Sequence, residues 1–178
     1  MDIGELNNAV EGQVLAPGDD GFDASRRVWN ARFDRAPDVV VRCLAPADVA
    51  TSVRWASTRG LPLFVKGGGH SYAGHTVGAG GLLLDLSPMS GIKVRAEERR
   101  VTVQAGATWA ALDAATQHHG LATTGPTVSS VGVAGSTLAG GTGWLSRKFG
   151  HALDNLVSVE MVTVEGDVVT ASAETEPE

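Results

Sequence analysis

The chain concentrates its glycines in two short segments, and this constrains the fold more than any other feature of the sequence. Of the 23 glycines, 17 lie between Gly67 and Gly150. One cluster is residues 66–74, directly after a strand-like run, and the other is residues 132–144. Each glycine in regular structure costs roughly 0.5–1 kcal/mol of backbone freedom relative to alanine. Such clusters therefore indicate backbone that turns sharply or lies against a ligand.

The first cluster has the pattern of a phosphate-binding loop. Three consecutive glycines after a strand present successive backbone N–H groups in a concave nest that suits phosphate oxygens. A tight turn would explain one glycine pair. Three consecutive glycines together with a second glycine-rich segment favour ligand binding instead. Neither cluster has the Gly-x-Gly-x-x-Gly spacing of a Rossmann fold. A P-loop is excluded because Gly141 and Thr142 stand where that motif requires Lys and Ser or Thr.

A histidine and a serine follow the triple glycine, and each is a candidate nucleophile. Residues 69–73 resemble the nucleophile elbow of serine hydrolases, with Ser71 as the nucleophile. Residues 74–81 are too rich in glycine for the helix that an elbow requires, so the hydrolase is a minor alternative. His70 projects from the same loop, and a neutral imidazole is a competent nucleophile near pH 7 toward an electrophilic cofactor.

The other four histidines indicate neither catalysis nor metal binding. His118 and His119 end a predicted helix, where a surface position suits them. His75 lies five residues from His70 without a third ligand nearby, and His151 has no partner motif. We therefore predict no metal site.

Composition is typical of a folded domain. The chain has 178 residues, 43% hydrophobic and 19% charged, which suits one domain or two small lobes.

No apolar run approaches the ~18–20 residues that cross a bilayer, and the acidic N-terminus lacks a signal peptide, so we expect a cytoplasmic protein without membrane contact. A net charge of −6 argues against nucleic acid as a partner. The single cysteine, Cys43, excludes an internal disulfide and lies in a strand-like run, where we expect a buried, unreactive thiol.

Local patterns predict a mixed α+β domain with short strands. Residues 1–37 are interpreted as an arm with one short helix. The predicted strands are residues 38–44, 61–65 and 81–86, a hairpin of 92–96 with 100–104, and a hairpin that turns at 165–167. The predicted helices are residues 47–59, opened by Pro46 and ended by Gly60, and residues 109–119, capped by Thr108. The first strand, helix and second strand are expected to form a parallel unit.

Four segments in order resemble a known family: residues 66–71, 80–87, 103–109 and 140–145. Together they resemble the FAD-linked oxidases of the vanillyl-alcohol-oxidase type, in particular the bacterial berberine-bridge-enzyme-like and 6-hydroxy-D-nicotine-oxidase-like branch. The resemblance covers about residues 12–172. It implies an α+β, two-lobed PCMH-type FAD-binding domain over residues 38–172, with small mixed sheets flanked by helices and FAD stretched between the lobes.

The resemblance also implies roles for individual residues. The loop of Lys66, Gly67, Gly68, Gly69, His70 and Ser71 would hold the pyrophosphate, and His70 would bond covalently to the 8α-methyl group of the flavin. Positions implied to line the flavin and ribityl chain are Gly125, Val128, Ser129, Gly132, Gly135, Gly141, Gly143 and Trp144. Family members with doubly attached flavin carry a cysteine where this chain has Val128. Only single attachment, through His70, is therefore expected.

The implied function is the FAD-binding part of an oxidase that acts on a small alcohol- or amine-bearing substrate. No motif marks a catalytic base. In the family, another strand and a substrate domain follow the position of the tail at residues 173–178, so we expect an incomplete domain with exposed apolar surface. Its expected consequence is marginal stability, weak or no FAD retention, or reliance on a complementing chain. The alternative is a non-catalytic fragment or an interaction module that keeps the fold.

Overall fold

The computed structural model describes residues 3–175, which form three small sheets with helices packed against them. The strands are β1 (Gln13–Leu15), β2 (Val39–Arg42), β3 (Leu63–Lys66), β4 (Leu82–Asp85), β5 (Ile92–Arg95), β6 (Arg100–Val103), β7 (Ser158–Val162) and β8 (Val168–Ser172). The helices are α1 (Gly4–Ala9), α2 (Phe22–Arg26), α3 (Pro46–Ser57), α4 (Trp109–Gln117), α5 (Val133–Leu138) and α6 (Ser146–Phe149), with a 3₁₀ turn at Leu153–Asn155.

The largest sheet has four strands in the order β1-β2-β4-β3. Strands β2, β3 and β4 are parallel, and β1 is antiparallel to β2. Side chains of β2 and β4 are buried on both faces, which explains their unbroken apolar sequences. Val39 and Val41 pack with α1 and α3 on one face, whereas Val40 and Leu83 pack with Phe22 on the other. Strands β2 and β3, which correspond to the first and second predicted strands, are parallel as expected, and β4 lies between them.

Helix α3 closely matches its prediction. It begins at Pro46 and ends at Ser57, and Gly60 follows with a positive φ of +61°. Val53 and Ala56 are buried in the core, and Val49 packs against the same cluster. The stripe at this helical spacing therefore faces the sheet as expected.

The interpretation of residues 1–37 as an arm with one short helix was wrong in its elements. This segment contains two short helices and strand β1, which joins the sheet beside β2. The buried carboxylate of Asp48 in α3 accepts the N–H groups of Glu11 at 2.8 Å and Gly12 at 3.1 Å. A three-residue strand shows too little alternation of apolar and polar side chains to be recognised from the sequence. It forms because it pairs with β2.

The β5–β6 hairpin and helix α4 form a second small core. Trp109 and Leu112 of α4 are buried with Ala152, and side chains of the hairpin pack against them. Thr108 is the N-cap residue, as predicted, but its hydroxyl makes no capping hydrogen bond. Backbone carbonyls of residues 129 and 131 accept the first N–H groups of the helix instead, at 2.9 and 3.0 Å.

The β7–β8 hairpin forms at its predicted turn, and Arg54 of α3 donates to the carbonyl of Gly166 at 2.6 Å. Large apolar side chains are exposed between residues 138 and 168, among them Trp144 at 84% and Val164 at 75%. This agrees with the expected exposed apolar surface; a complementing chain stays a prediction. Residues 176–178 of the predicted tail lie outside the described residues. No helix within residues 3–175 is long and apolar enough to span a membrane.

Candidate functional site

The first glycine cluster forms a loop at the carboxyl end of the parallel sheet. We call residues 66–71 the glycine loop. Strand β3 ends at Lys66, and the chain then turns at Gly69, whose φ is +71°. Glycine adopts this left-handed conformation without the steric penalty of other residues. Ligands of open α/β sheets commonly bind beyond the carboxyl ends of the strands, where this loop lies.

Lys66 joins the glycine loop to the interior of the sheet. Its ammonium lies 3.3 Å from a carboxylate oxygen of Asp85, and both side chains are buried. The ammonium also donates to the carbonyl of Ser25, and Arg42 Nε lies 3.7 Å from the second oxygen of Asp85. The charge of Lys66 is therefore engaged inside the protein. In this geometry the side chain of Lys66 anchors the start of the glycine loop to the sheet and to Ser25.

The glycine loop packs directly on the start of the second glycine segment, residues 132–144. A Cβ atom on Gly68 would lie 2.3 Å from the backbone nitrogen of Gly132, and one on Gly132 would lie 2.6 Å from that of Gly68. A Cβ on Gly67 would lie 2.8 Å from the carbonyl oxygen of Ala105. Glycine is thus required at these positions for backbone to approach backbone. Close packing explains part of the glycine richness without a ligand.

The N–H groups of the glycine loop provide the feature that points to an anion. Among residues 3–175, no protein acceptor receives a hydrogen bond from the N–H groups of residues 67–71. Gly69 is buried and the other four residues are half-buried. Backbone N–H groups in such positions normally have a partner. A consecutive row of five free donors fits the oxygens of a pyrophosphate, so the residues present suit a dinucleotide cofactor.

His70 is held by two contacts beside this row of donors. Its Nε2 lies 3.0 Å from the hydroxyl oxygen of Ser130. Its ring stacks on the indole of Trp29, with centroids 5.3 Å apart and planes inclined by 19°. The backbone N–H of Trp29 also donates to the carbonyl of Gly69 at 3.0 Å. Partial burial lowers the pKa of His70 from its ordinary value near 6.5, so the imidazole is neutral at pH 7.

Trp29 and Ser130 are the two residues of this site that the sequence patterns did not select. Ser130 lies within the stretch that the resemblance assigned to the flavin, next to the selected Ser129. Trp29 lies in the segment interpreted as an arm, and its side chain is 58% exposed, so hydrophobic periodicity gives no signal for it. Both contact His70 only through the tertiary fold.

Three of the predicted flavin-lining glycines are closely packed against other parts of the chain. A Cβ on Gly125 would lie 2.4 Å from the ring of Trp109, and one on Gly143 would lie 1.7 Å from the carbonyl oxygen of Gly125. A Cβ on Gly141, whose φ is +72°, would lie 2.4 Å from that of Ala152. Gly125 thus lies against helix α4 and Gly143 against Gly125, whereas Gly141 lies against Ala152, directly before the 3₁₀ turn.

The remaining predicted positions are more open. Val128 is 48% exposed and Trp144 is 84% exposed. Nothing lies within 4 Å of a Cβ built on Gly135, and Ser129 contributes its carbonyl to the start of α4. The structure therefore brings Gly132 and Ser130 onto the glycine loop and leaves Gly135 and Trp144 open. Flavin contact at all these positions stays a prediction.

The arrangement around Ser71 does not suit a serine hydrolase. The hydroxyl of Ser71 accepts the backbone N–H of His75 at 3.2 Å. In the described part of the chain no imidazole is hydrogen-bonded to Ser71, because His70 Nε2 faces Ser130. General-base activation of a serine requires such a contact. In the same part of the chain no group of three or more His, Cys, Asp or Glu could hold a metal ion.

Fold and site together define an α+β domain that binds a dinucleotide cofactor, with the donor row of the glycine loop beside a neutral histidine. The chain belongs to the FAD-binding domain family: the family described as "FAD binding domain" matches residues 37–172. This confirms the resemblance inferred from the four sequence segments and assigns FAD as the cofactor.

Curated relatives carry the same domain. The chain is 36% identical over 170 residues to (R)-6-hydroxynicotine oxidase of Paenarthrobacter nicotinovorans, covering 96% of this chain and 37% of that protein. It is 30% identical over 173 residues to the uncharacterized FAD-linked oxidoreductase YgaK of Bacillus subtilis, covering 95% and 38%. The chain thus spans a little over a third of the length of these relatives.

Solved structures confirm the PCMH-type fold. The crystal structure of 6-hydroxy-D-nicotine oxidase from Arthrobacter nicotinovorans superimposes with a TM-score of 0.92 at 36% identity, covering 94% of this chain and 37% of that chain. Xylooligosaccharide oxidase from Myceliophthora thermophila superimposes with a TM-score of 0.93 at 29% identity, covering 99% and 38%. The two proteins differ in their named substrates, so this fold alone does not determine a substrate.

Proposed function

We propose that this chain is the FAD-binding part of a flavin-dependent oxidase of a small alcohol- or amine-bearing substrate, with FAD attached covalently through His70. The observation that carries the proposal is the neutral, half-buried imidazole of His70 next to five free backbone donors. Relatives named as oxidases and FAD-linked oxidoreductases support the reaction class.

In this proposal each part of the loop has a separate task. The N–H groups of residues 67–71 bind the pyrophosphate oxygens. The buried pair of Lys66 and Asp85 holds the loop against the sheet, and Gly68 and Gly132 allow the two glycine segments to meet. His70 and Ser130 then lie where the flavin end of the cofactor is bonded.

Bound FAD would supply the two-electron chemistry by accepting a hydride from a substrate carbon. Attachment would join a nitrogen of His70 to the 8α carbon by one C–N bond, with one hydrogen lost from that carbon and one from the imidazole. With dioxygen as the final acceptor, the two hydrogens and their electrons would leave as hydrogen peroxide. The protein contributes the lone pair of a His70 nitrogen. The imidazole must be neutral for this, since a protonated imidazole has no free lone pair.

The low pKa of His70 keeps that lone pair available. Burial disfavours the charged imidazolium, so the neutral form dominates at lower pH than in a solvated histidine. The attachment rate is therefore expected to rise with pH through the lowered pKa and to be level at pH 7 and above.

The test is flavin fluorescence in a denaturing gel, on protein produced with riboflavin supplied. We expect a fluorescent band for the wild type and none for His70→Ala. The matched control is His75→Ala, because His75 is exposed in the same region and its hydrogen bond to Ser71 uses only its backbone N–H. A band that persists in His70→Ala contradicts the proposed attachment. Folded wild-type protein that binds no flavin favours the interaction module instead.

A further inference from the structure

We propose that Ser130 is a positioning residue for flavin attachment: its hydroxyl fixes the imidazole of His70 so that Nδ1 is the nitrogen that bonds to the flavin. The inference rests on the proposed function, which names His70 as the attachment residue without specifying a nitrogen.

The first support is that the two side chains are each other's polar partner. Ser130 Oγ and His70 Nε2 are 3.0 Å apart, although 60 positions separate them in the chain. Within residues 3–175 the Ser130 hydroxyl has no other hydrogen-bond partner, and neither does His70 Nδ1. Nε2 is therefore engaged with the protein, and Nδ1 is the nitrogen that can approach a ligand.

The second support is that stacking alone cannot select a nitrogen. Trp29 restrains the plane of the His70 ring at an inclination of 19°. A rotation of the ring by about 180° keeps the same plane and exchanges the positions of its nitrogen and carbon atoms. The hydroxyl at Nε2 favours one of these two orientations, because the other places a C–H group against Ser130.

The third support is that Ser130 stands on a firmly held turn. The residues on both sides of it give their carbonyls to the first turn of α4: Ser129 accepts the N–H of Ala110 at 2.9 Å, and Val131 accepts that of Trp109 at 3.0 Å. The N–H of Val131 in turn donates to the carbonyl of Val128 at 3.2 Å. A side chain on such a turn holds its position better than one on an open loop.

The chemistry assigns the proton as well as the bond. A neutral imidazole carries one N–H, so a lone pair on Nδ1 requires the hydrogen on Nε2. Ser130 Oγ accepts that N–H. When the C–N bond forms at Nδ1, the imidazole hydrogen that must be lost is the one on Nε2, beside the serine oxygen. Attachment removes two hydrogens in total, and dioxygen as the electron acceptor takes them up as hydrogen peroxide.

The test measures how fast flavin becomes resistant to denaturation when protein produced without riboflavin is incubated with FAD in air. We expect Ser130→Ala to slow attachment about two- to tenfold, the range for one neutral hydrogen bond. Ser130→Thr is expected to restore the rate because it keeps the hydroxyl. Reversible FAD affinity should stay within about twofold of wild type. The control is Ser90→Ala, whose exposed side chain makes no hydrogen bond in the described structure.

A second measurement needs no flavin. Nitrogen NMR of ¹⁵N-histidine-labelled protein reads the tautomer of His70, identified by its absence in His70→Ala. We expect the Nε2–H tautomer in the wild type; an Nδ1–H tautomer would overturn the proposal, as would equal attachment rates in wild type and Ser130→Ala. Wild-type protein that never retains flavin contradicts the proposed function together with this inference, whereas normal attachment in Ser130→Ala contradicts the role of Ser130 alone.

Discussion

Replacing Gly68 by alanine is expected to destabilise the protein because the new methyl group meets backbone atoms. The Cβ would lie 2.3 Å from the nitrogen and 2.6 Å from the Cα of Gly132, whereas ordinary contact begins at 3.4 Å. The glycine loop and the second glycine segment must therefore separate by about 1 Å. Overpacking of this kind costs roughly 1–3 kcal/mol, which is a substantial part of the ~5–15 kcal/mol that stabilises a typical domain.

The assay is urea denaturation of protein without flavin, followed by far-ultraviolet circular dichroism. Gly68→Ala should lower the free energy of unfolding by roughly 1–3 kcal/mol. With riboflavin supplied, it should also reduce covalent flavin, because displacement of the loop moves both its N–H groups and His70. A substitution at Gly68 acts on the contact between the two segments without removing any polar group.

The control for stability is Gly135→Ala in helix α5, where nothing lies within 4 Å of the new Cβ. Alanine in a helix is favoured over glycine, so this variant should be more stable by about 0.5–1 kcal/mol. The same change from glycine to alanine is thus expected to lower the free energy of unfolding at position 68 and to raise it at position 135. If Gly68→Ala is as stable as the wild type, the loops are not packed as described and the argument from close approach fails.

Two further predictions concern buried groups. Lys66→Met leaves the buried carboxylate of Asp85 with Arg42 as its one cationic neighbour in the described structure, at 3.7 Å, and with the N–H of Ser87 at 3.1 Å. The substitution should cost about 3 kcal/mol in urea denaturation; a loss below ~1 kcal/mol contradicts the role of that ion pair. Burial raises the pKa of the Cys43 thiol from 9.0 to about 12. Between these values the folded state keeps a proton that the unfolded state has lost, so the free energy of unfolding should fall with rising pH by up to about 1.4 kcal/mol per unit. Stability curves at pH 8 to 11 should have a shallower slope in Cys43→Ala, and equal slopes would refute the assignment.

Elements with strong local patterns were predicted well. The apolar runs of β2 and β4 identified buried strands, Pro46 and Gly60 marked the ends of α3, and both hairpins turn where their polar residues predicted. Each of these signals lies within a few neighbouring residues, because side-chain alternation and turn conformation are local properties. The glycine loop was recognised for the same reason.

Elements that depend on distant partners were missed or incomplete. Strand β1 forms because β2 offers an edge, and α4 is capped by carbonyls of residues 129 and 131 although Thr108 supplied a plausible side-chain cap. Lys66 was predicted as part of the loop that holds the pyrophosphate, and in the fold its ammonium pairs with Asp85 on the neighbouring strand. No local pattern distinguishes these outcomes, since each depends on which segment becomes the neighbour.

By itself the sequence determined the family, the cofactor class and the position of the glycine loop, because these are encoded in ordered motifs of adjacent residues. Only the tertiary structure decided what surrounds His70. Trp29, His70 and Ser130 are 41 and 60 positions apart along the chain and contact one another only after the sheet and helix α4 are in place. The motif supplies His70, and packing between distant segments places Trp29 and Ser130 against its imidazole.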